Sequence, residues 1–229
     1  MSFFSDISAI QNIVYIFSSI LFISGIKMLG KEDTAVRGNF LSASAMLIAV
    51  AVTVINVVNP VIVLIGVSIG AVIGSLIALR VKMTSIPEMV ALFNGFGGLA
   101  TFFIAWSEFN AIPDNVFQYI VIMLTTYIGG VTFSGSIIAY GKLSEKLKVK
   151  KDSFVTKIFT TFFYASILFL VYSIGFTEII ELPINFYTVL LILTLWGGIG
   201  FVIPIGGGDM PVVISLLNSF SGIAAAFAG

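Results

Sequence analysis

The chain has 229 residues, 59% of them hydrophobic and only 10% charged, a balance that excludes an ordinary soluble globular domain. Eleven Lys and Arg offset eleven Asp and Glu, so no basic excess marks a nucleic-acid partner. With no Cys and no His, the chain itself offers no disulfide, thiol chemistry, iron–sulfur ligation, imidazole metal site or near-neutral proton carrier.

Charged residues are missing from residues 7–26, 38–79, 89–107, 115–141, 158–177, 182–208 and 210–229. A helix rising ~1.5 Å per residue needs about 20 residues to cross ~30 Å of hydrocarbon. Six of the stretches therefore hold one crossing each. The stretch 38–79 holds two, with Asn56, Asn59 and Pro60 as the turn between them. The expected fold is all-α, a polytopic transmembrane helical bundle of about eight spans. Span 1 covers roughly 8–27; it is too long, and lacks the basic leading region, for a cleaved signal peptide. Span 2 covers 38–57 and span 3 covers 61–79. Gly66, Gly70 and Gly74 give span 3 a doubled G-x-x-x-G suited to close helix packing. Span 4, 87–106, opens on Pro87 and Glu88 and sets Asn94, Gly97, Gly98 and Thr101 on one helical face. Span 5, 116–140, aligns Thr125, Gly129, Thr132 and Ser136 in the same way. Spans 6 and 7 cover 157–175 and 185–203. Span 8, 211–229, aligns Ser215, Asn218, Ser219 and Gly222.

The eleven cations test this count. Lys27, Lys31 and Arg37 fall after span 1, Arg80 and Lys82 after span 3, and Lys142, Lys146, Lys148, Lys150, Lys151 and Lys157 after span 5. The N-terminus and the connections after spans 2, 4 and 6 carry only Asp6, Glu108, Asp114, Glu178 and Glu181. Basic connections stay cytoplasmic, so the N-terminus is expected outside. A miscounted span would have scattered the cations over both sides.

Small and weakly polar residues inside spans have two readings. They mark helix–helix contacts, or they line a path. The packing reading suits the Gly66, Gly70 and Gly74 ladder. An asparagine near mid-membrane needs partners or water, so Asn94 and Asn218 point to a functional polar seam. Spans 3, 4, 5 and 8 are expected to surround it. Asp209 lies in Ile205-Gly206-Gly207-Gly208-Asp209-Met210-Pro211, between spans 7 and 8 on the basic side. It suits an N-terminal cap for span 8, and one residue can cap and carry function together. A phosphate cradle is disfavoured, since no G-x-x-x-x-G-K-[ST] follows.

Three motifs carry a resemblance. They are Met83-Thr84-Ser85-Ile86-Pro87-Glu88-Met89-Val90-Ala91-Leu92-Phe93-Asn94; Gly130-Val131-Thr132-Phe133-Ser134-Gly135-Ser136, running on to Gly141-Lys142-Leu143; and Gly206-Gly207-Gly208-Asp209-Met210-Pro211-Val212-Val213-Ile214-Ser215 with Leu217-Asn218-Ser219. In this order, over essentially the whole chain, they resemble the β subunit of proton-translocating NAD(P) transhydrogenase. The resemblance implies that residues 1–229 form a proton-translocating membrane domain in a bacterial cytoplasmic (inner) membrane. Hydride transfer between NAD(H) and NADP(H) on soluble domains would be coupled to proton passage through it. The implied proton path runs over Asn94, Thr132, Ser136, Ser215 and Asn218, and Asp209 links it to the nucleotide domain. No nicotinamide cofactor is expected on this chain itself. The implied partners are the α subunit or subunits, an NADP(H)-binding domain, a second copy of the complex in a dimer, and the bilayer.

Two departures accompany the resemblance. Many family members carry histidine where this chain has Asn94, and an amide does not titrate near neutral pH, so either a partner subunit supplies the proton carrier or the path relies on water and Asp209. The family's β subunit also continues into a further span and an NADP(H)-binding domain, which these residues lack; they are expected to be inactive alone. The alternative reading is a small secondary transporter or ion channel using the polar seam of spans 3, 4, 5 and 8. A purely structural membrane subunit is the third.

Overall fold

The computed structural model describes residues 2–55, 57, 59–111, 115–150, 153–176 and 184–228. Among them are eight α-helices and no strand: α1 (Ser2–Leu29), α2 (Ala35–Ile55), α3 (Pro60–Arg80), α4 (Ile86–Asn110), α5 (Val116–Leu143), α6 (Phe154–Phe176), α7 (Ile184–Val202) and α8 (Met210–Ala228). Seven are long and apolar enough to cross a membrane, and α7 supplies a shorter apolar helix over Phe186–Val202. Helices α4 and α5 run beyond the uncharged stretches, through Glu108 and Lys142, because backbone hydrogen bonds continue undisturbed where the side chains reach polar surroundings. Asn56, Asp114, Lys151, Glu178 and Glu181 lie outside the described residues, as does the side chain of Asp6.

The chain divides into two compact units, Met1–Arg80 and Val81–Gly229. In the first, α1 and α2 form an antiparallel pair held by a glycine crossing. A Cβ on Gly25 would stand 2.8 Å from Gly38 O, and one on Gly38 would stand 2.7 Å from Gly25 O. Gln11 Nε2 donates to Val52 O at 3.0 Å, and the Tyr15 hydroxyl meets Thr53 Oγ1 at 2.9 Å. Helix α3 buries no residue. A Cβ at Gly66, Gly70 or Gly74 would meet nothing within 4 Å, so the expected packing ladder has no partner among the described residues.

In the second unit α5 is the hub, packed against α4, α7 and α8, while α6 packs on α7. Gly98 and Gly129 set the α4–α5 distance: a Cβ on either would stand 2.9 Å from the other's carbonyl oxygen. Asn115 caps α5 by accepting from Gln118 N at 2.9 Å, and Pro87 sits in the first turn of α4. At the end bearing Lys142, a core of Ala91, Ala139, Val202, Met210, Val213, Ile214 and Leu217 joins α4, α5, α7 and α8. At the other end Ala105, Phe109, Ile122, Met123, Leu170, Tyr187 and Leu190 pack together. There the Phe109 and Tyr187 rings stack 3.7 Å apart at 9°, and the Tyr187 hydroxyl meets Thr126 Oγ1 at 2.6 Å.

Polarity is inverted relative to a water-soluble fold. Thr101, Thr125, Thr126, Thr132, Ser134, Ser136, Ser166, Ser173 and Thr194 are buried, while Phe93, Phe96, Phe103, Leu168, Val171 and Ile192 are exposed. Small hydroxyl-bearing residues permit close helix contact, and the large apolar side chains face a solvent that is itself hydrocarbon.

Glu145, just past α5, takes a left-handed φ of 55°, outside glycine a strained conformation. Glu145→Gly should raise stability by about 0.5–1 kcal/mol, read as a higher Tm in detergent. Gly129→Val should lower stability by about 1–3 kcal/mol or more, because the new methyls collide with α4 backbone that cannot yield.

Candidate functional site

Between the two cores, the α4–α5–α8 interface holds one polar cluster. Asn94 follows Ala91 by one turn on α4 and lies level with Ser136 on α5, because Gly95 and Gly98 remove the side chains that would hold the helices apart. Its Nδ2 donates to Ser136 Oγ at 3.1 Å. Its Oδ1 accepts from Ser221 Oγ of α8, also at 3.1 Å. The same Ser221 oxygen lies 3.2 Å from Leu217 O, so one hydroxyl hydrogen serves two acceptors. A single carboxamide thus ties three helices. One turn along α5, Thr132 is completely buried, and its hydroxyl has no partner among the described residues. Thr101 uses its hydroxyl locally, on Gly98 O at 2.9 Å.

The sequence-derived positions therefore separate into two groups. Asn94, Thr132 and Ser136 lie together on the buried α4–α5 interface. Ser215 and Asn218 are exposed and do not join that cluster. The buried stripe of α8 is Met210, Val213, Ile214, Leu217 and Ala224, with half-buried Ser221 on it. Asn218 follows Leu217 by one residue and is rotated about 100° off this stripe. Ser221, four residues after Leu217, is the α8 residue that reaches Asn94, and sequence reading passed over it. The signal was present: Ser221 is the polar member of an apolar 3–4 repeat.

Asp209 ends a single 3₁₀ turn, Gly207–Asp209, that leads into α8. Its backbone N–H donates to Gly206 O at 3.1 Å. Its carboxylate is exposed and accepts no hydrogen bond among the described residues, so the side-chain cap is not formed. Within this unit Asp209 lies at the same end as Lys142, across from Glu108. Lys142, read from sequence only as a topology signal, does more. Its Nζ donates to Val202 O at 3.3 Å, Ile203 O at 2.6 Å and Ile205 O. These are carbonyls at and just beyond the end of α7; that of Val202 also accepts from Ile205 N at 3.1 Å.

Chemically, the cluster contains an amide and hydroxyls but no ionisable side chain. Such groups pass hydrogen bonds along and orient water; they do not store a proton near neutral pH. An apolar exterior, helices of membrane-spanning length and a buried polar tie at mid-bundle define a multi-pass membrane protein with an internal polar interface.

The comparisons narrow this class. Residues 11–229 match the family model described as NAD(P) transhydrogenase beta subunit. NAD(P) transhydrogenase subunit beta of Rhodospirillum rubrum is 33% identical over 227 aligned positions, covering 94% of this chain and 48% of that protein. A relative of the same name from a designated strain of that organism aligns to the same extent. The chain belongs to the NAD(P) transhydrogenase β-subunit family and spans about half the length of the curated relatives it matches.

The Asn94–Ser221 bond is directly testable. In a double-mutant cycle of Asn94→Ala and Ser221→Ala, thermal unfolding in detergent should give a coupling of about 0.6 kcal/mol, with ~1.7 as a ceiling for a membrane hydrogen bond. Asn218→Ala paired with Asn94→Ala should give additive effects. Coupling in that second pair would place Asn218 in the cluster.

Proposed function

We propose that this chain is the membrane part of a proton-translocating NAD(P) transhydrogenase. It would couple hydride transfer between NAD(H) and NADP(H) to proton passage across a bacterial cytoplasmic membrane. The observation that carries the reading is the pairing of family membership with one interface: the Asn94–Ser136–Ser221 cluster inside α4, α5 and α8, and Asp209 at its basic end. In this reading the basic connections and Asp209 face the cytoplasm, the N-terminus lies outside, and an NADP(H)-binding domain docks over the Gly206–Asp209 turn. The α subunit and a second copy of the complex complete the assembly. The nicotinamides supply the hydride chemistry on soluble domains of that assembly, and none binds this chain.

The chain's own residues have a narrower task. Thr132 and Ser136 present hydroxyls inside the bundle, and Asn94 donates to the Ser136 oxygen while accepting the Ser221 hydrogen. The titrating group at mid-membrane comes from a partner, since Asn94 cannot ionise. Asp209 is an exposed carboxylate at the cytoplasmic end, placed to make proton occupancy felt by the docked domain. Ser215 and Asn218, on the other face of α8, are assigned to the wall of the path completed by a partner helix. Magnitudes agree with such a device. One charge moved through ~100 mV releases about 2.3 kcal/mol, comparable with one or two membrane hydrogen bonds at about 0.6–1.7 kcal/mol each. It is therefore enough to remake the cluster.

In proteoliposomes of the whole complex, Asp209→Asn should lower coupled proton pumping by roughly tenfold or more while membrane insertion is unchanged, the loss of one charge-dependent contact. Normal pumping in that variant refutes the coupling role of Asp209. Asn94→Leu should reduce proton passage more than assembly, measured by dye quenching against the amount of complex recovered. Equal losses reduce Asn94 to a packing residue.

A further inference from the structure

Among the described residues, one α5 side chain hydrogen-bonds to the connection that carries Asp209. Lys142, in the last turn of α5, reaches across to three carbonyl acceptors, those of Val202, Ile203 and Ile205, at the end of α7 and in the α7–α8 connection. Among the described residues it has no carboxylate partner. Its charge is met instead by carbonyl dipoles at a helix C-terminus, where a cation is favoured. Elsewhere this connection stands away from the α5–α6 connection. A cleft of about 250 Å³ separates Glu145 and Lys148 from Gly206 and Gly207. Three consecutive glycines give the segment little intrinsic stiffness. Besides Lys142, the segment is anchored by its flanking residues Ile205 and Met210, which pack with Ala139 and Leu143 of α5 in the core at this end.

A second tie joins α5 to α8 deeper in the bundle, through Ser136, Asn94 and Ser221. Ser136 lies six residues before Lys142, about 9 Å along α5, and Ser221 lies twelve residues after Asp209, about 18 Å along α8. Between the ties sits the closed core of Ala139, Val202, Met210, Val213, Ile214 and Leu217. Helix α5, the Lys142 fastening, the Asp209 turn, α8 and the buried cluster thus form a closed circuit. In such a circuit a change at either tie is felt at the other through packed helices rather than through a flexible loop.

We infer that Lys142 is a positioning residue: by holding the carbonyls of Val202, Ile203 and Ile205 it fixes the Gly206–Asp209 turn to α5, so that Asp209 and the polar cluster move as one body. The inference deepens the proposed function, since Asp209's coupling role rests on that reading; the fastening itself does not.

The experiment uses the complete complex in membranes, with a cysteine introduced as Met210→Cys in a chain that has no native Cys. Met210 is fully buried where the turn enters α8, so its labelling requires the turn to leave the core. Labelling of this chain by a membrane-impermeant maleimide reads exposure of the turn. Lys142→Met should raise the labelling rate roughly tenfold, the local opening expected when charge-assisted hydrogen bonds are lost, and Lys142→Arg should return it toward the original rate. Pumping and the apparent KM for NADP(H) are then measured for Lys142→Met, Asp209→Asn and the double variant, all without the cysteine. Lys142→Met should shift KM and pumping, yet add nothing in the Asp209→Asn background. Unchanged labelling in assembled Lys142→Met complex overturns the fastening. Faster labelling with multiplicative losses in the double variant overturns action through Asp209. If Lys142→Met does not assemble, Lys142→Gln, which keeps two donors, is judged by the same outcomes. Should Asp209→Asn pump normally, the proposed function fails, while the labelling result still decides whether Lys142 holds the turn.

Discussion

The contact between Gly98 and Gly129 governs where every polar atom in the second unit can be. Helix axes in proteins lie about 8–10 Å apart according to the side chains between them, and two facing glycines give the short end of that range. Asn94 is one turn from Gly98, and Ser136 is two turns from Gly129. Their 3.1 Å hydrogen bond exists because the backbones already touch nearby. A side chain at either glycine would lever the helices apart. The cost would include more than lost packing, for the carboxamide would be left in hydrocarbon without partners.

Burial of so many hydroxyls follows from the same geometry. In lipid there is no hydrophobic gain from pressing leucine against leucine, so association depends on close contact and on hydrogen bonds. Most of the buried hydroxyls use their hydrogen on a carbonyl one turn back, as Ser134 does on Gly130 O and Thr126 on Ile122 O. Those residues serve as compact spacers. Asn94 differs from them: unlike Asn110, whose amide bonds back to Trp106 O one turn earlier, it makes both of its bonds between helices. The Lys142 fastening obeys the same rule at the bundle's edge, because carbonyls beyond the end of α7 require a donor and α5 supplies it.

The sequence makes span number and helix limits legible because both depend on charge and length, which lipid constrains strongly. The α5 face from Thr125 to Ser136 was legible as well, since its small residues stand out against bulky neighbours. The rotation of α8 was less so. The apolar 3–4 repeat of α8 carries Ser221 on its edge, but the polar Ser215–Asn218 face was the more conspicuous place to look for a polar seam. A difference of one residue is about 100°, enough to exchange Asn218 for Ser221. Lys142 was obscured for another reason. In a cluster of lysines that signals sidedness, nothing local marks the one whose long side chain turns inward, and that depends on where α7 ends.

Ser221 has a single hydrogen and two acceptors, on different helices, almost equally distant. Rotation about one side-chain bond exchanges a bond to α4 for a bond within α8, with no displacement of either backbone. The interior of the bundle therefore contains a binary element whose two settings differ only in the direction of a dipole. Under the proposed function, a relay passing through Ser221 would have to return this dipole to its first setting before a second proton could follow.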